Sequence, residues 1–481
     1  AKAVTGAYLS SGGNAFSSRT ASMIVQQHFP PAPSTAGLES GPLFGVQFSQ
    51  LPCSDISSRF VAGGGPSALI GPKRSPLGLA ADPGGFPLYK NGVLVGGVGV
   101  IAESDYGFDI NVLDVDIDIE EHIALAAGTS LAPAVDIVAD RVAVDGTTLR
   151  YSDATTATLL STPASAPAFG TLPVGTGAFT PVTGYYAGPG VLAGQAYGTE
   201  ASGVRKATAG EFNNVDAFIL TDGSGGPRYP VQAGTDGASV GSPLTAAETR
   251  AVLEEAFSIM SRARAQIRRP LDSRAQVSIA VVDTHGVTLG LVRSPDAPLF
   301  GIDVAVQKAR TASFLSNSAA ASDLSGDPSA DVNAFVGQTR TFLSLPAALT
   351  GQTAFSVRGI GNLARPYFPD GEVGPTSGPL SRPIAMWSPF STGLQTALIL
   401  GNLGQHVGFV SGLGPDTAAR CTALPDAAPG RNRLQNGLQI FPGGVPIYRG
   451  TQLIGAIGVS GDGIDQDDMI SFLGLQNAAL R

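Results

Sequence analysis

The amino-acid sequence predicts a mixed fold of helices and β-hairpins that the chain contains twice, and three observations carry that prediction. PGGFPLYKNGVLVGGVGV, Pro83 to Val100, recurs as PGGVPIYRGTQLIGAIGV, Pro442 to Val459, with Pro, Gly, Tyr and Val positions in register. KAVTGAYLS, Lys2 to Ser10, recurs as KARTASFLS, Lys308 to Ser316, ahead of the hairpin block both times. From Leu244 a capped helical pattern leads into two short apolar runs separated by a turn, as in a helix followed by a hairpin. Ordered self-similarity of this kind marks a duplicated structural unit.

The elements follow in order. Thr245 and Glu248 form a capping box, and Val252, Ala256, Ile259, Met260 and Ala263 recur at helical spacing behind it. Gln276 to Asp283, QVSIAVVD, is an apolar β-branched strand; Thr284-His285-Gly286 turns it back into a second strand from Val287. Asp303 to Leu315 reads as helix, and Asn-Ala-Phe follows each KA-x-T segment, at Asn14 to Phe16 and Asn333 to Phe335. The organisation is therefore a first unit at 1–151, a Gly-, Pro- and Thr-rich connector with short strands at 152–241, and a second unit at 242–481. A Pro- and Gly-rich insertion at about 358–413 interrupts the second unit, and the 30–72 stretch is its shorter counterpart. The first unit has no counterpart of the helix and hairpin at 244–293. A sheet short of two strands leaves an open edge and a bare apolar face, so this unit reads as N-terminally incomplete. The missing piece is cleaved away, lies outside this stretch of sequence, or comes from another chain.

Composition narrows the function. At 481 residues the chain holds two or three domains, and a formal charge of −9 without a Lys/Arg run argues against nucleic acid as a partner. No apolar stretch approaches membrane-spanning length, so membrane insertion is not expected. Cys53 and Cys421 are too few for a disulfide scaffold and lack CxxC spacing; one bridge or two free thiols both remain open. No Walker A, GxSxG or SxxK motif is present.

Several residues carry chemistry. In the GGxP blocks, paired glycines permit positive φ and close backbone approach, suiting either a ligand pocket or tight packing of a neighbouring element. Asp114, Asp116, Asp118 and Glu120 alternate along an extended segment, which suits a calcium site, although the EF-hand glycine is missing; the favoured reading is the charged first turn of a helix. None of His28, His122, His285 and His406 has paired metal spacing, and surface or loop positions are expected, His285 in its tight turn above all. His28 and His122 are the two candidate axial ligands for haem iron; Tyr89 and Tyr448, equivalent in the two copies, are either tyrosinate ligands or packed aromatics. Arg262, Arg264, Arg268, Arg269 and Arg274 form a basic patch that either grips an anion or is simply solvated.

Taken together, LTAAE, VSIAVVDTHGVTLGLVR, KARTASF and GGVPIYRGTQLIGAIGVSGDGIDQDD resemble the GlcG/HbpS family and the C-terminal domain of PduO, over most of Leu244 to Gly474. The first copy repeats the second half of that pattern; the long insertions and His285 depart from it. The resemblance implies an α+β fold, an antiparallel sheet flanked by helices in the manner of profilin, and a homo-oligomer binding haem or a related tetrapyrrole, in periplasmic or extracellular settings. It does not imply catalysis. Carried over, the ligand-binding residues are Lys308, Thr311, Gly443, Gly444 and Pro446, with Lys2, Thr5, Gly84, Gly85 and Pro87 in the first copy. The function expected is an exported, non-enzymatic haem- or small-ligand-binding protein; the alternative is an assembly-forming protein, a filament or shell, that uses the duplicated fold without a ligand.

Overall fold

The computed structural model describes all residues except 37, 60–69, 103–105, 187–190, 372–373, 375 and 389–390, so parts of the 30–72, 152–241 and 358–413 stretches lie outside the described residues. In chain order the first unit contains α1 (Lys2–Leu9), α2 (Ser18–Ile24), β1 (Gly85–Lys90), β2 (Val93–Gly99), α3 (Ile119–Gly128) and a minimal hairpin, β3 (Ala143–Val144) and β4 (Thr147–Thr148). The connector supplies β5 (Val204–Lys206) and β6 (Phe218–Leu220). The second unit contains α4 (Ala246–Met260), β7 (Val277–Val282), β8 (Thr288–Arg293), α5 (Phe300–Leu315), α6 (Ala320–Ser325), α7 (Ala330–Leu343), α8 (Val357–Leu363) and α9 (Leu394–Val410). It closes with β9 (Gly444–Arg449), β10 (Gln452–Gly461) and α10 (Ile464–Ala479). No helix among the described residues is long and apolar enough to cross a membrane.

The fold is α+β. Its main sheet is antiparallel, in the order β5-β6-β8-β7-β10-β9. The connector's short strands therefore extend the second unit's sheet instead of standing apart. Alternation along β7 explains its unbroken apolar run: Ile279 and Val281 face Leu253, Phe257 and Ile470 in one core, while Ala280 and Val282 face Ala305 and Ala309 in another. With α4 and α10 on one side and α5 on the other, both faces of the strand are covered and neither needs polar residues. The capping box of α4 forms as the sequence predicts, Thr245 accepting from Glu248 N.

The two copies share local geometry. In β1–β2, Lys90 pairs with Val93, Tyr89 with Leu94 and Leu88 with Gly96; in β9–β10, Arg449 pairs with Gln452, Tyr448 with Leu453 and Ile447 with Gly455. The register and its irregularity fall at the same place in both. The helix α1 lies on β1–β2 as α5 lies on β9–β10. One predicted match is corrected. Asn333 to Phe335 is inside α7, whereas Asn14 to Phe16 is extended chain entering α2. The structural counterpart is Thr353-Ala354-Phe355: the Ser17 and Ser356 that follow each cap the next helix, α2 and α8. Furthermore, Arg19 Nε donates to Glu121 as Arg358 Nε donates to Asp468. The residues between Ser316 and Ala354 carry α6 and α7 and are an insertion that the sequence match had bridged at the wrong place.

Cys53 and Cys421 form a disulfide, their Cα atoms 4.9 Å apart, across 368 residues of sequence. It sits among Phe44, Phe48, Phe314 and Leu398, joining the first unit's long loop to the chain after α9. The same loop is tied to α5 by buried polar contacts. Asp303 accepts from Ser54 Oγ at 2.5 Å, Ser57 Oγ at 3.0 Å and Asn436 Nδ2 at 2.8 Å, and Arg310 pairs with Asp55 at 2.8 Å. Burial pushes the Asp303 carboxyl up to about 6 against the hydrogen bonds it accepts.

Closing a long loop removes conformational freedom from the unfolded chain. Replacing both Cys53 and Cys421 by Ser is expected to lower unfolding stability by about 2–4 kcal/mol, read from urea denaturation of oxidised protein. The raised Asp303 value has a definite sign: between about pH 4 and pH 6 the folded state keeps a proton that the unfolded state has released. Stability contributed by Asp303 therefore falls as pH rises through that window and is level above it. Denaturation of wild type and Asp303→Asn at pH 4 and pH 7 is expected to show the wild type gaining up to about 3 kcal/mol relative to the variant at the lower pH.

Candidate functional site

The residues singled out from sequence converge, copy by copy, on one kind of joint. In the second unit Lys308 Nζ donates to Asp467 Oδ2 and to Val459 O, both at 2.8 Å, and stands 4.5 Å from the centre of the Phe441 ring. Thr311 Oγ1 accepts from Gln439 N at 2.9 Å. A Cβ on Gly443 would lie 2.8 Å from Lys308 Nζ, and one on Gly444 would lie 2.6 Å from Lys308 O. Pro446 pairs with Ala456 in the hairpin and faces the groove between α4 and α10. In the first unit Lys2 Nζ pairs with Asp82 at 2.7 Å and with Glu120, and Thr5 Oγ1 donates to Ala80 O at 2.9 Å. A Cβ on Gly84 would meet Glu120 and Lys2 Nζ, and Gly85 N donates to Ser18 Oγ at 2.8 Å. Pro87 pairs with Gly97. The space these glycines leave is taken by the lysine and by the strand behind it. Burial opposes charge on the Lys308 ammonium and pushes the Asp467 carboxyl up to about 6, with their mutual attraction acting against both shifts.

The histidines do not join them. His28 Nε2 accepts from Ala32 N at 3.3 Å, its basicity lowered by burial, and His122 Nδ1 sits 2.7 Å from Asp118 O. Two expectations of exposure are corrected. His285 is buried against Ser239 Oγ at 2.9 Å, and His406 is buried between Asp416, 2.7 Å from Nδ1, and the Tyr185 hydroxyl, 2.8 Å from Nε2. Tyr89 donates to Ser11 O at 2.7 Å, a structural anchor.

The alternating acids also divide. Carboxylate oxygens of Asp109, Asp114 and Asp116 lie within 4.8 Å of one another. However, the fully buried Arg19 guanidinium pairs with Asp109 at 2.8 Å, Asp116 at 3.2 Å, Glu121 at 2.8 Å and Asp153 at 3.1 Å, so the cation in this cluster is an arginine. Asp118 caps α3 through Glu121 N, and Glu120 goes to Lys2. The helix-turn alternative holds for Asp118 and Glu120, whereas Asp114 and Asp116 precede α3; these contacts give calcium no support.

A cavity of about 430 Å³ lies where the two units meet. Leu9, Ile24 and Leu149 wall it from the first unit; Ile267, Phe300 and Ile464 wall it from the second. Arg264 lines it and has no carboxylate partner among the described residues; its Nε donates to Leu271 O. Asp145, Asp462 and Asp465 line it too, Asp462 being held by Arg268 at 2.5 Å and Asp465 by Arg358 at 2.6 Å. A concave pocket of this size with apolar walls and convergent polar groups is the usual form of a small-molecule site.

Residues 252–356 and 402–476 match the family described as "Haem degrading protein HbpS-like". The second unit is similar to that family. The match runs from α4 to the cap of α8 and from α9 to α10, so the matched residues include the hairpin, both flanking helices and the Lys308–Asp467 joint. Among solved structures, a PduOC:heme complex shares 18% identity over 48% of this chain and 88% of that chain, with a TM-score of 0.20. A Klebsiella pneumoniae protein, ORFY of family DUF336, shares 17% identity over 52% of this chain and 94% of that chain, with a TM-score of 0.23. No curated protein matches.

Sequence reasoning missed the junction cavity because its walls come from α1, the 143–149 turn, the 264–267 link and the start of α10, which no local pattern connects. The single available signal was the arginine patch, of which Arg264 reaches the wall while Arg268 and Arg274 are paired with acids. The hairpin glycines serve packing: a Cβ on Gly458 would run into Ala305 O and lie 2.6 Å from Ala309 N on α5. Gly458→Ala is expected to cost about 2–3 kcal/mol by overpacking. Gly96→Ala, at a position with no atom within 4 Å of the added Cβ, is expected to change stability by less than about 1 kcal/mol. Urea denaturation of the two variants distinguishes packing from a shared ligand role.

Proposed function

We propose that this protein is a ligand-binding protein of the HbpS type whose ligand, of the tetrapyrrole class that includes haem, occupies the cavity between the two units. The observation that carries this reading is the cavity itself: about 430 Å³, lined by apolar side chains of both copies together with Arg264, Gln266 and three aspartates. The description of the matched family as haem-degrading, and a haem complex among the similar structures, support the choice of ligand class. The apolar part of the walls suits a flat ring, and Arg264, without a carboxylate partner among the described residues, suits one propionate. They do not suit the metal. Among the described residues no His, Cys, Met or Tyr lines the cavity, so ring burial and the carboxylate carry the binding and none of these wall residues supplies such an axial ligand. The Cys53–Cys421 disulfide supports an exported protein, because such bonds persist in oxidising compartments. The exposed apolar residues of the first unit support assembly with a further polypeptide.

Titration with haem and, separately, with metal-free protoporphyrin tests the reading. Both are expected to bind with one site per chain, and Val144→Trp, which fills the cavity, is expected to weaken both at least tenfold while leaving the thermal midpoint in place. Failure of both to bind overturns the ligand class. Binding of haem alone, abolished by His28→Ala or His122→Ala, overturns the cavity as the site.

A further inference from the structure

The second unit shows what covers an HbpS-like hairpin. On its β10 edge, β7 pairs Ala456 with Val282 and continues to Gly461 with Val277, and α4 packs across α10. Equivalent positions in the first unit can be assigned residue by residue, because the hairpins share their register and Glu120 and Asp467 hold equivalent lysines. Val95 then stands where Ile454 does, Ile123 where Ile470 does, and Gly96 where Gly455 does.

The surroundings of these pairs differ in one consistent way. Ile454 is 3% exposed and Val95 is 55%; Ile470 is fully buried and Ile123 is 47% exposed. A Cβ on Gly455 would strike Val282 O of β7, whereas one on Gly96 meets nothing within 4 Å. Every difference sits where β7 and α4 lie in the second unit. Among the described residues β2 pairs only with β1, so its outer edge presents free backbone groups beside an apolar surface that Ile101, Ile117 and Ile119 continue. Edges and patches of this kind are kept covered in stable proteins.

We propose that the open β2 edge and the outer face of α3 form a docking surface for a polypeptide segment of the α4–β7–β8 kind: an amphipathic helix, a basic link and an apolar hairpin. The shape of the occupant follows from the second unit, and charge complementarity agrees. Exposed Asp114 and Asp116 border the approach to α3, and the link between α4 and β7 carries Arg262, Arg264, Arg268, Arg269 and Arg274. The inner strand would run antiparallel to β2 opposite residues 97–102. Within residues 1–481 such a segment occurs once and is engaged by the second unit. This proposal is independent of the ligand reading above.

The test uses the full chain and, as probe, a polypeptide of residues 243–294 fused to a soluble carrier. Saturable binding is expected, with amide exchange of residues 97–102 slowed at least tenfold. Gly96→Val is expected to abolish that protection, since its side chain takes the place of the incoming strand, while the thermal midpoint of the chain alone stays unchanged. Absence of protection in the wild type, or equal protection in Gly96→Val, overturns the proposal. Light scattering that shows a dimer of the chain alone, broken by Gly96→Val, overturns it in favour of a second copy as the occupant.

Discussion

A buried lysine fixed to a carboxylate on the closing helix is the contact on which both halves of this chain depend. Lys308 and Asp467 are almost without solvent, as are Lys2, Asp82 and Glu120. Taking two charges out of water costs several kcal/mol per ion, and only close geometry with further hydrogen bonds offsets it. The joint supplies those: Val459 O takes a second proton of Lys308, and Gly443 keeps a side chain from entering the space. Once formed, it sets three elements against one another, the helix that bears the lysine, the hairpin that bears the glycines and the closing helix that bears the acid. An uncompensated charge would remain if one partner were lost, typically at about 3–5 kcal/mol.

Packing follows from this joint. Because α5 is drawn down onto β10, Gly458 must lack a side chain where Ala305 and Ala309 cross it, and small residues line that side of the sheet. The opposite side is free to take bulky residues, and does, with Phe257, Ile457 and Ile470. Two modules so constructed then meet through Phe300, Val304 and Phe441, which belong to the first unit's core although they lie in the second. The cavity is the part of that contact left unfilled. Its apolar walls and its position between copies are consequences of duplication, as is the contrast between a covered face in one copy and a bare one in the other.

Much of this was legible in the sequence because the determinants are local. Periodicity and a capping box announced α4; an unbroken β-branched run announced β7; repeated GGxP blocks announced hairpins of one register. The lysines and glycines were correctly associated with each other, yet their role as a packed ion pair was hidden, since the acid partner lies across the hairpin and only the fold brings it within 2.8 Å. The alternating acids misled in the same way, because three of them serve partners the spacing does not show: Asp116 pairs with Arg19, about ninety-seven residues upstream, Asp118 caps α3 and Glu120 holds Lys2. His285 and His406 illustrate the complementary error: a turn or a Pro- and Gly-rich insertion predicts exposure only when nothing long-range covers it. The Asn333–Phe335 match failed because three residues of identity cannot outweigh where a helix is capped.

The two-copy architecture is tested most directly by a crystallographic structure of the chain, comparing α1–β1–β2–α3 with α5–β9–β10–α10. The duplicated-joint view requires the two hairpins to superimpose with the same strand register and with Lys2 and Lys308 each on a closing-helix carboxylate. Hairpins in different registers, or a lysine directed to solvent in either copy, would contradict it.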